Sequence, residues 1–405
     1  MNNLALRNIM KKAIICGGSI GGLFAAAALR KSGWQVDVFE RTEIELSGRG
    51  AGIVTHDVLI EALRAIDITT HDLGVYVKDR TAYDKNGNEL LRLPFPQIVT
   101  SWDRIHSLLR ASHPDQHHHL GRAAIGYRQE QNKAIAILDD KTEIEADLVI
   151  GADGFGSKIR AQMLPDVKSI SSGYVVWRAL ANESDLSEEV RLDVFKTFGF
   201  FVPTGSQIIG YPIAGIGNDL REGRRRYNFV WYIGVKADEL RDMLTDNNGN
   251  YYSVSIPPPL VRDDVMKRFT ETAHQILPAN FAEILEKSEM PFFTPIYDHH
   301  SPIMGYGNVG LVGDAACVAR PHVGMGVTKA ACDALCLAKS LDNFSNIPDA
   351  LAAYSEERVA ASARAHYRAR DLGATIFVDP KGGNEDGSRN PNLHEIVSTT
   401  ATIVV

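Results

Sequence analysis

Short apolar runs that stop at glycine or aspartate recur along this chain, and three of them feed stretches of helical period. Lys12 to Cys16 (KAIIC) reads as a buried strand. It runs into Gly17-Gly18-Ser19-Ile20-Gly21-Gly22, after which Leu23 to Lys31 predicts an alanine-rich helix. Gly33 to Glu40 (GWQVDVFE) predicts a second strand, ending in an acid. Asp147 to Ile150 is a third, stopped by Gly151-Ala152-Asp153-Gly154 and followed by Ser157 and Arg160 at a helix start. Val309 to Val312 is a fourth, stopped by Gly313-Asp314. The loop Arg320-Pro321-His322 and the turn Gly324-Met325-Gly326 then lead into an apolar helical run from about Val327 to Ser340.

Elsewhere the period is shorter. Val75 to Leu93 alternates around the turn Lys85 to Asn88 and predicts a hairpin. Ala134 to Leu138 reads as a strand and Asp139 to Thr142 as its turn. Beyond about Asp166, aromatic and β-branched runs at Tyr174–Arg178, Gly199–Val202, Gln207–Tyr211 and Arg226–Tyr232 predict a mostly antiparallel sheet. Val58 to Ile66 looks helical, and so does the span from Val261 to Leu285 beyond the loop Pro257 to Pro259. Ala350 to Leu372 predicts a polar-faced amphipathic helix. The Gly/Asn/Asp-rich tail from Asp379 reads as flexible, with Thr399 to Val405 apolar enough to dock. The expected class is α/β: a Rossmann-type nucleotide-binding domain, an inserted mostly antiparallel β-sheet substrate domain, and C-terminal helices. The expected boundaries are 1–74, 101–166 and 295–378 for the first, 75–100 and 167–294 for the second, and 379–405 for the tail.

The spacing of the first motif has chemical content. Glu40 lies eighteen residues after Gly22, close to the distance at which an acid reaches a dinucleotide's ribose. Ser19 replaces the middle glycine of the fingerprint and is small enough to let the backbone approach a pyrophosphate. Asp314 stands at a strand's carboxyl end, where ligands of open α/β sheets bind, and a carboxylate there can take a polyol hydroxyl. Gly324 to Gly326 opens a helix whose free N–H groups and dipole favour negative charge. Taken alone, this last stretch also fits a plain strand–loop–helix connection.

The βαβ turn, GADG-x-x-S-x-x-R (Gly151 to Arg160) and GDAA…P-x-x-G-x-G (Gly313 to Gly326), in that order, resemble the single-component FAD-dependent aromatic hydroxylases typified by para-hydroxybenzoate hydroxylase. The branch most similar is that of the 2,6-dihydroxypyridine 3-monooxygenase-like enzymes, matched at SGRGAGIV (Ser47 to Val54), GYVVWRAL (Gly173 to Leu180), IGYPIAG (Ile209 to Gly215), NFVWY (Asn228 to Tyr232) and RPHVGMG (Arg320 to Gly326). The resemblance implies bound, non-covalent FAD, a transient NADH or NADPH, and dioxygen. It implies hydroxylation of an electron-rich phenol- or hydroxypyridine-like ring through a flavin hydroperoxide. It assigns cofactor contacts to Gly17, Ser19, Ile20, Gly22, Glu40, Arg41, Arg49, Asp153, Asp314, Gly324, Met325 and Gly326. Within that set, Glu40 would take the adenosine ribose, Asp153 the middle of the cofactor and Asp314 the ribityl chain. Pro321 would shape the wall beside the flavin. Tyr211 and His322 stand as candidates to hydrogen-bond or deprotonate a ring hydroxyl, with ordinary packing as the alternative for each. Arg320 either favours an anionic substrate or is solvated. Trp102 occupies the place of a family arginine, and Arg104 lies two residues off it. Another FAD oxidoreductase on this scaffold, an epoxidase or halogenase, stays open, although no W-x-W-x-I-P segment is present. So does a low-turnover flavin-binding redox sensor.

Composition narrows the rest. At 405 residues the chain is too long for one ordinary core and suits two domains. A net charge of −7, against one short basic run at Arg224 to Arg226, argues against nucleic-acid and anionic-membrane partners. Met1 to Lys11 lacks an apolar core of the signal-peptide kind, and no apolar stretch reaches bilayer length. Four cysteines do not make a disulfide framework, so the expectation is a reduced, cytoplasmic monomer or homodimer. Cys332 and Cys336 read as small core residues. The histidines at 113 and 117 to 119 read as a solvated loop, with no metal site expected anywhere. No second nucleotide-binding unit is visible, so the reductant must visit the flavin transiently.

Overall fold

The computed structural model describes residues 10–46, 51–374 and 392–403. Residues 47–50, which include Arg49 and open the expected glycine-rich turn, lie outside the described residues, as do 1–9 and 375–391 of the expected tails.

In chain order, β1 (Lys12–Cys16) leads into α1 (Ile20–Lys31) and β2 (Gln35–Phe39). A short β3 (Gly52–Val54), α2 (Asp57–Ala65), the hairpin β4 (Val75–Tyr83) and β5 (Glu89–Ser101), and α3 (Trp102–Ala111) follow. Next come β6 (His118–His119), a three-stranded meander of β7 (Ala124–Glu130), β8 (Lys133–Leu138) and β9 (Glu143–Ala146), then β10 (Leu148–Gly151) and α4 (Lys158–Met163). The inserted part holds β11 (Ile170–Asn182), α5 (Glu188–Leu192), β12 (Phe198–Phe201), β13 (Ser206–Ile213), β14 (Arg226–Gly234), α6 (Ala237–Met243), α7 (Asp263–Ile276), α8 (Ala279–Glu286) and β15 (Ser288–His300). The chain returns through β16 (Gly305–Tyr306), β17 (Val309–Leu311) and β18 (Cys317–Val318) to α9 (Gly326–Asn343), α10 (Ile347–Ala374) and α11 (Leu393–Thr399).

Two large sheets result. The first has the order β16-β17-β10-β1-β2-β6, parallel throughout except at β16. Its central strands are apolar on both faces because α1 and α9 cover one side while α10 and the meander enclose the rest. Ala13 to Cys16 and Leu148 to Ile150 are wholly buried. The second is nine-stranded, β18-β15-β11-β14-β13-β12-β4-β5-β3. It is antiparallel except where β12 meets β4. Its strands alternate: Val175, Trp177 and Ala179 pack beneath α7 and α8, while Tyr174 and Val176 face the other way with Tyr211 and Tyr232.

Several elements depart from expectation. The nine-stranded sheet draws in residues 52–54 and the end of β15, both expected in the nucleotide-binding part. The thirteen-residue β15 has no counterpart in the sequence reading; Pro291 and Pro295 disguise it, and it tolerates them because its far edge meets only the two residues of β18. The histidine-rich segment is not a solvated loop. His118 and His119 form the edge strand β6 beside β2, His113 is buried, and Asp37 accepts contacts from His117 Nδ1 (2.9 Å) and His119 Nε2 (3.2 Å). The described end of the tail docks: Val397 and Ala401 are buried against β4 and β5, and residues 379–391 of the expected flexible tail lie outside the described residues.

Candidate active site

A cavity of about 570 Å³ opens between the carboxyl ends of the parallel strands and one face of the nine-stranded sheet. Two helix starts reach it. α1 begins at Ile20, inside the glycine turn and three residues earlier than its alanine run predicts. Ser19, Ile20 and Gly21 line the cavity, whereas Gly17 and Gly22 lie behind them. Those two glycines answer a packing demand. Gly17 has φ of +118°, and a Cβ on it would stand 2.3 Å from the Ala152 carbonyl oxygen. A Cβ on Gly22 would stand 1.9 Å from the Gly17 carbonyl oxygen.

The second helix start belongs to α9. Gly324, Met325 and Gly326 all line the cavity, and a Cβ on Gly326 would meet nothing within 4 Å. Neither α1 nor α9 carries an acidic residue in its first turn or a side-chain cap. The free N–H groups and positive dipole ends of both helices are therefore left for an anionic ligand.

Between them stands Asp314, whose side chain opens into the cavity beyond β17. Its carboxyl is held above the usual carboxylate range because protein surrounds it and Asp333 lies near, although Lys329 and Arg160 pull the other way. The turn beneath it is tied down from several sides. Arg160 donates to the carbonyls of Ala315 (3.0 Å) and Phe155 (2.8 Å), and the His299 ring reaches the Asp314 carbonyl at 3.1 Å. The GADG loop and the GDAA loop are thus joined through one guanidinium.

The floor is apolar and aromatic. Ile209 and Tyr211 come from β13, Val230 and Tyr232 from β14, and Ile296 from β15 on the far side of β11. Tyr211 stacks on Phe198 with ring centroids 4.7 Å apart. Burial raises the Tyr211 phenol well above its ordinary range and pushes that of Tyr232 to about 12. A phenol raised in this way stays protonated near neutral pH, so neither hydroxyl is suited to act as a base there. Trp102, from the start of α3, closes one side and stacks on His106, 4.6 Å between centroids. Pro321 and Ala401 supply further wall.

Other expected site residues lie elsewhere. His322 is completely buried and does not line the cavity. Its Nε2 accepts from the Tyr174 hydroxyl (2.9 Å), its Nδ1 lies 3.1 Å from Gln207 Oε1, and burial drops its pKa to about 3. The reading of His322 as a base at the ring is therefore corrected: it is a neutral packing histidine, buried against Tyr174, Gln207 and Tyr232 outside the cavity lining. The Asp153 carboxylate is likewise turned away. It accepts from the Ser157 hydroxyl and the Lys158 N–H, both at 2.6 Å, and so caps α4. Arg320 is neither solvated nor free, since its Nε donates to the buried Asp298 at 2.6 Å. Glu40 is buried at the far end of the glycine turn, where it accepts from the Gly18 N–H (2.8 Å), the Thr42 N–H (3.0 Å) and the Thr42 hydroxyl (3.1 Å). About four lone-pair sites belong to a carboxylate, so it keeps room for one more donor. Arg41 beside it is exposed, and Arg49 lies outside the described residues. The sequence reading gave no site role to several residues of this cavity, Arg178 and Ala401 among them. Arg178 lines the cavity from β11, and its signal was legible as a charge on the apolar face of an alternating strand. Ala401 had no local signal.

The residues present fit FAD. Two uncapped helix starts answer its pyrophosphate and its electron-accepting end, Asp314 answers a polyol, and the open space over Gly326 would take a flat ring. Among the described residues no group of three or more His, Cys, Asp or Glu could hold a metal ion, and no helix is long and apolar enough to cross a membrane.

Comparison with known proteins bears on the same point. A family model described as FAD binding domain-like matches residues 171–298. The chain is 30% identical over 327 residues to 2,6-dihydroxypyridine 3-monooxygenase of Paenarthrobacter nicotinovorans, covering 80% of this chain and 81% of that one. It is 28% identical over 361 residues to aurachin C monooxygenase/isomerase of Stigmatella aurantiaca, covering 85% and 84%. Among solved structures, 2,6-dihydroxypyridine-3-hydroxylase from Arthrobacter nicotinovorans superposes with a TM-score of 0.85 at 27% identity, over 94% of this chain and 96% of that one.

Proposed function

This chain belongs to the family of FAD-dependent aromatic hydroxylases, and we propose that its substrate is a small, electron-rich aromatic or heteroaromatic ring of the phenol or hydroxypyridine kind. It is a monooxygenase that uses FAD, with NAD(P)H as reductant. The observation that carries the substrate reading is that both uncapped helix starts and Asp314 line the same cavity as an apolar, aromatic sheet floor.

Reduced FAD supplies the activation of dioxygen. The work left to the chain is binding, orientation and exclusion of water. The start of α1 would hold the pyrophosphate, Glu40 the adenosine ribose through its remaining lone pair, and Asp314 the ribityl hydroxyls. The start of α9 at Gly324 to Gly326 would offer N–H donors to the negative charge that the electron-accepting end acquires. Tyr211 donates from the floor and suits an oxygen on the ring, while its raised pKa keeps it from acting as the base. Ile209, Val230 and Ile296 below, with Pro321 at the side, keep the ring dry. The four cysteines are free, which suits a reducing compartment such as the cytoplasm.

The test is a panel of hydroxypyridines and phenols, scored for stimulated NAD(P)H oxidation and for label from ¹⁸O₂ in the ring product. At least one ring should do both. If every ring left oxidation at its basal rate and gained no label, the substrate reading would be wrong.

A further inference from the structure

A second cavity, of about 80 Å³, lies behind the nine-stranded sheet, between strands β11 and β14 and the helices α6 and α7. Val175 and Trp177 reach it from β11, Trp231 and Ile233 from β14, Met243 from α6 and Phe269 from α7. It stands back to back with the candidate active site. Trp177 follows Val176 and precedes Arg178, and Trp231 lies between Val230 and Tyr232. Arg178, Val230 and Tyr232 line the main cavity on the opposite face, while no residue lines both.

The aromatic walls are fixed by one another. Trp177 stacks on Phe269 with ring centroids 3.8 Å apart, and Trp231 meets the same ring at 5.5 Å. The two indoles differ in their N–H groups. That of Trp231 donates to the Ser206 hydroxyl. That of Trp177 has no acceptor among the described residues, yet it is not sealed in protein. Trp177 is 3% exposed and borders this cavity, so its donor is left for whatever enters there. A donor withdrawn from water and left unmet is costly, and an acceptor on a ligand removes that cost.

The rim limits the charge of an occupant. Arg268 is held by Asp242 at 2.7 Å and by Asp264 at 3.4 Å, and Glu239, also on the wall, has no cation partner among the described residues. An anion would come to a rim with three carboxylates around one paired guanidinium. A cation would suit those carboxylates but brings no lone pair for the Trp177 N–H. The volume is about half that of a cavity that takes up benzene, so a six-membered ring fits with one edge left at the mouth. That mouth is open at Gly234 and Glu239, both exposed.

We infer that this second cavity is a non-catalytic binding site for a small uncharged ring with one hydrogen-bond acceptor, of the pyridine kind, its acceptor seated on the Trp177 indole N–H. The site stands whether or not the main cavity hydroxylates a ring. Its occupant would press on the two strands whose opposite faces carry part of the active-site floor.

The experiment titrates the FAD-loaded full chain with three fluorinated rings, read by ¹⁹F shift and line width. They are 3-fluoropyridine, uncharged in neutral solution and bearing one acceptor; fluorobenzene, of the same shape without it; and N-methyl-3-fluoropyridinium, a cation without it. Wild type should bind 3-fluoropyridine saturably and about two- to tenfold more tightly than fluorobenzene, the range of one neutral hydrogen bond, and should not bind the cation. Trp177→Phe keeps a ring and removes the donor, so the two neutral rings should bind it equally. Thr272→Trp puts a large side chain into the half-buried wall at the mouth, so the binding seen in wild type should vanish. A wild type that binds no 3-fluoropyridine, shows no preference over fluorobenzene or takes the cation as well would overturn the inference. So would a preference that survives Trp177→Phe, or a Thr272→Trp protein that binds as wild type does, which would put the ring in the main cavity. Should Trp177→Phe fail to fold, the wild-type preference and Thr272→Trp decide.

Discussion

Lys329 and Asp333, one helical turn apart in α9 and both buried, hold the two peptide groups of a single residue, Gly313. The Lys329 ammonium donates to the Gly313 carbonyl at 2.8 Å, and the Asp333 carboxylate accepts from the Gly313 N–H at 3.0 Å. Gly313 has φ of +62°, a conformation that side-chain-bearing residues rarely adopt, and it immediately precedes Asp314. Burial alone would pull the Lys329 pKa down, but Asp333, Cys317 and Asp314 together outweigh it and the pKa is raised. A helix whose start lines the cavity therefore also fixes the turn that carries Asp314.

The pair is asymmetric, and so are the expected effects of breaking it. Asp333 also holds Arg358, at 2.8 Å, so Asp333→Asn leaves two buried cations without an anion. A loss of about 3–5 kcal/mol is expected in urea denaturation. Lys329→Met leaves the Asp333–Arg358 pair intact and should cost less. An Asp333→Asn protein as stable as wild type would mean that the clamp contributes nothing.

Two glycines should separate folding from cofactor binding. Gly326→Val faces open space, and valine costs a helix only about 0.5–0.7 kcal/mol relative to alanine, so the thermal midpoint should stay near wild type while bound FAD is lost. Gly17→Ala puts a methyl group against the Ala152 carbonyl at a positive φ, so it should unfold at lower temperature whether or not FAD is added. Full FAD occupancy and normal reduction in Gly326→Val would show that this turn does not face the cofactor.

Acid should destabilise the fold through its neutral histidines. Burial lowers His322 and His299 to about 3 and His118 to about 4, from an ordinary 6.5. A base whose pKa is depressed by folding contributes stability that is fully present above 6.5 and is lost as pH falls towards the folded value. The thermal midpoint should therefore drop between about pH 6.5 and pH 4, and His322→Gln should show a shallower decline. The same burial predicts no limb from His322 in the pH profile of kcat between pH 5 and 8. A midpoint that depended on pH identically in wild type and His322→Gln would contradict this account of His322.

The docked end of the chain should control coupling. Arg80 is wholly buried and donates to the carbonyls of Val397 (2.8 Å), Thr400 (2.6 Å) and Ala401 (3.3 Å), holding Ala401 in the cavity wall. The Ala401 N–H in turn donates to the His322 carbonyl at 2.7 Å. Ending the chain at residue 391 should open the wall, so that more NAD(P)H is consumed per ring hydroxylated and the difference appears as hydrogen peroxide. Unchanged coupling in that truncation would show that this segment does not seal the cavity.

Local steric and periodic signals made much of this fold legible in the sequence. The turns at Gly17–Gly22 and Gly324–Gly326, the strands that stop at GADG and GDAA, and the alternating strands of the inserted part all depend on neighbours within a few residues. The same is true of the dinucleotide expectation, since a glycine turn between a strand and a helix is itself a phosphate site, whereas FAD in particular was implied by the family resemblance. Prolines hid β15 and histidines hid β6, because both lack the composition by which strands are recognised. What the sequence could not decide was which way side chains turn and whom they meet. Tyr211 and His322 were equal candidates, and only the packing put one on the floor of the cavity and buried the other outside its lining. Arg320 and Arg178 are both arginines beside apolar residues. One finds Asp298, twenty-two positions away in the chain, and the other finds no carboxylate among the described residues. The physical reason is that charge pairing and cavity walls are made by segments far apart in sequence, so they exist only once the sheets have closed on each other.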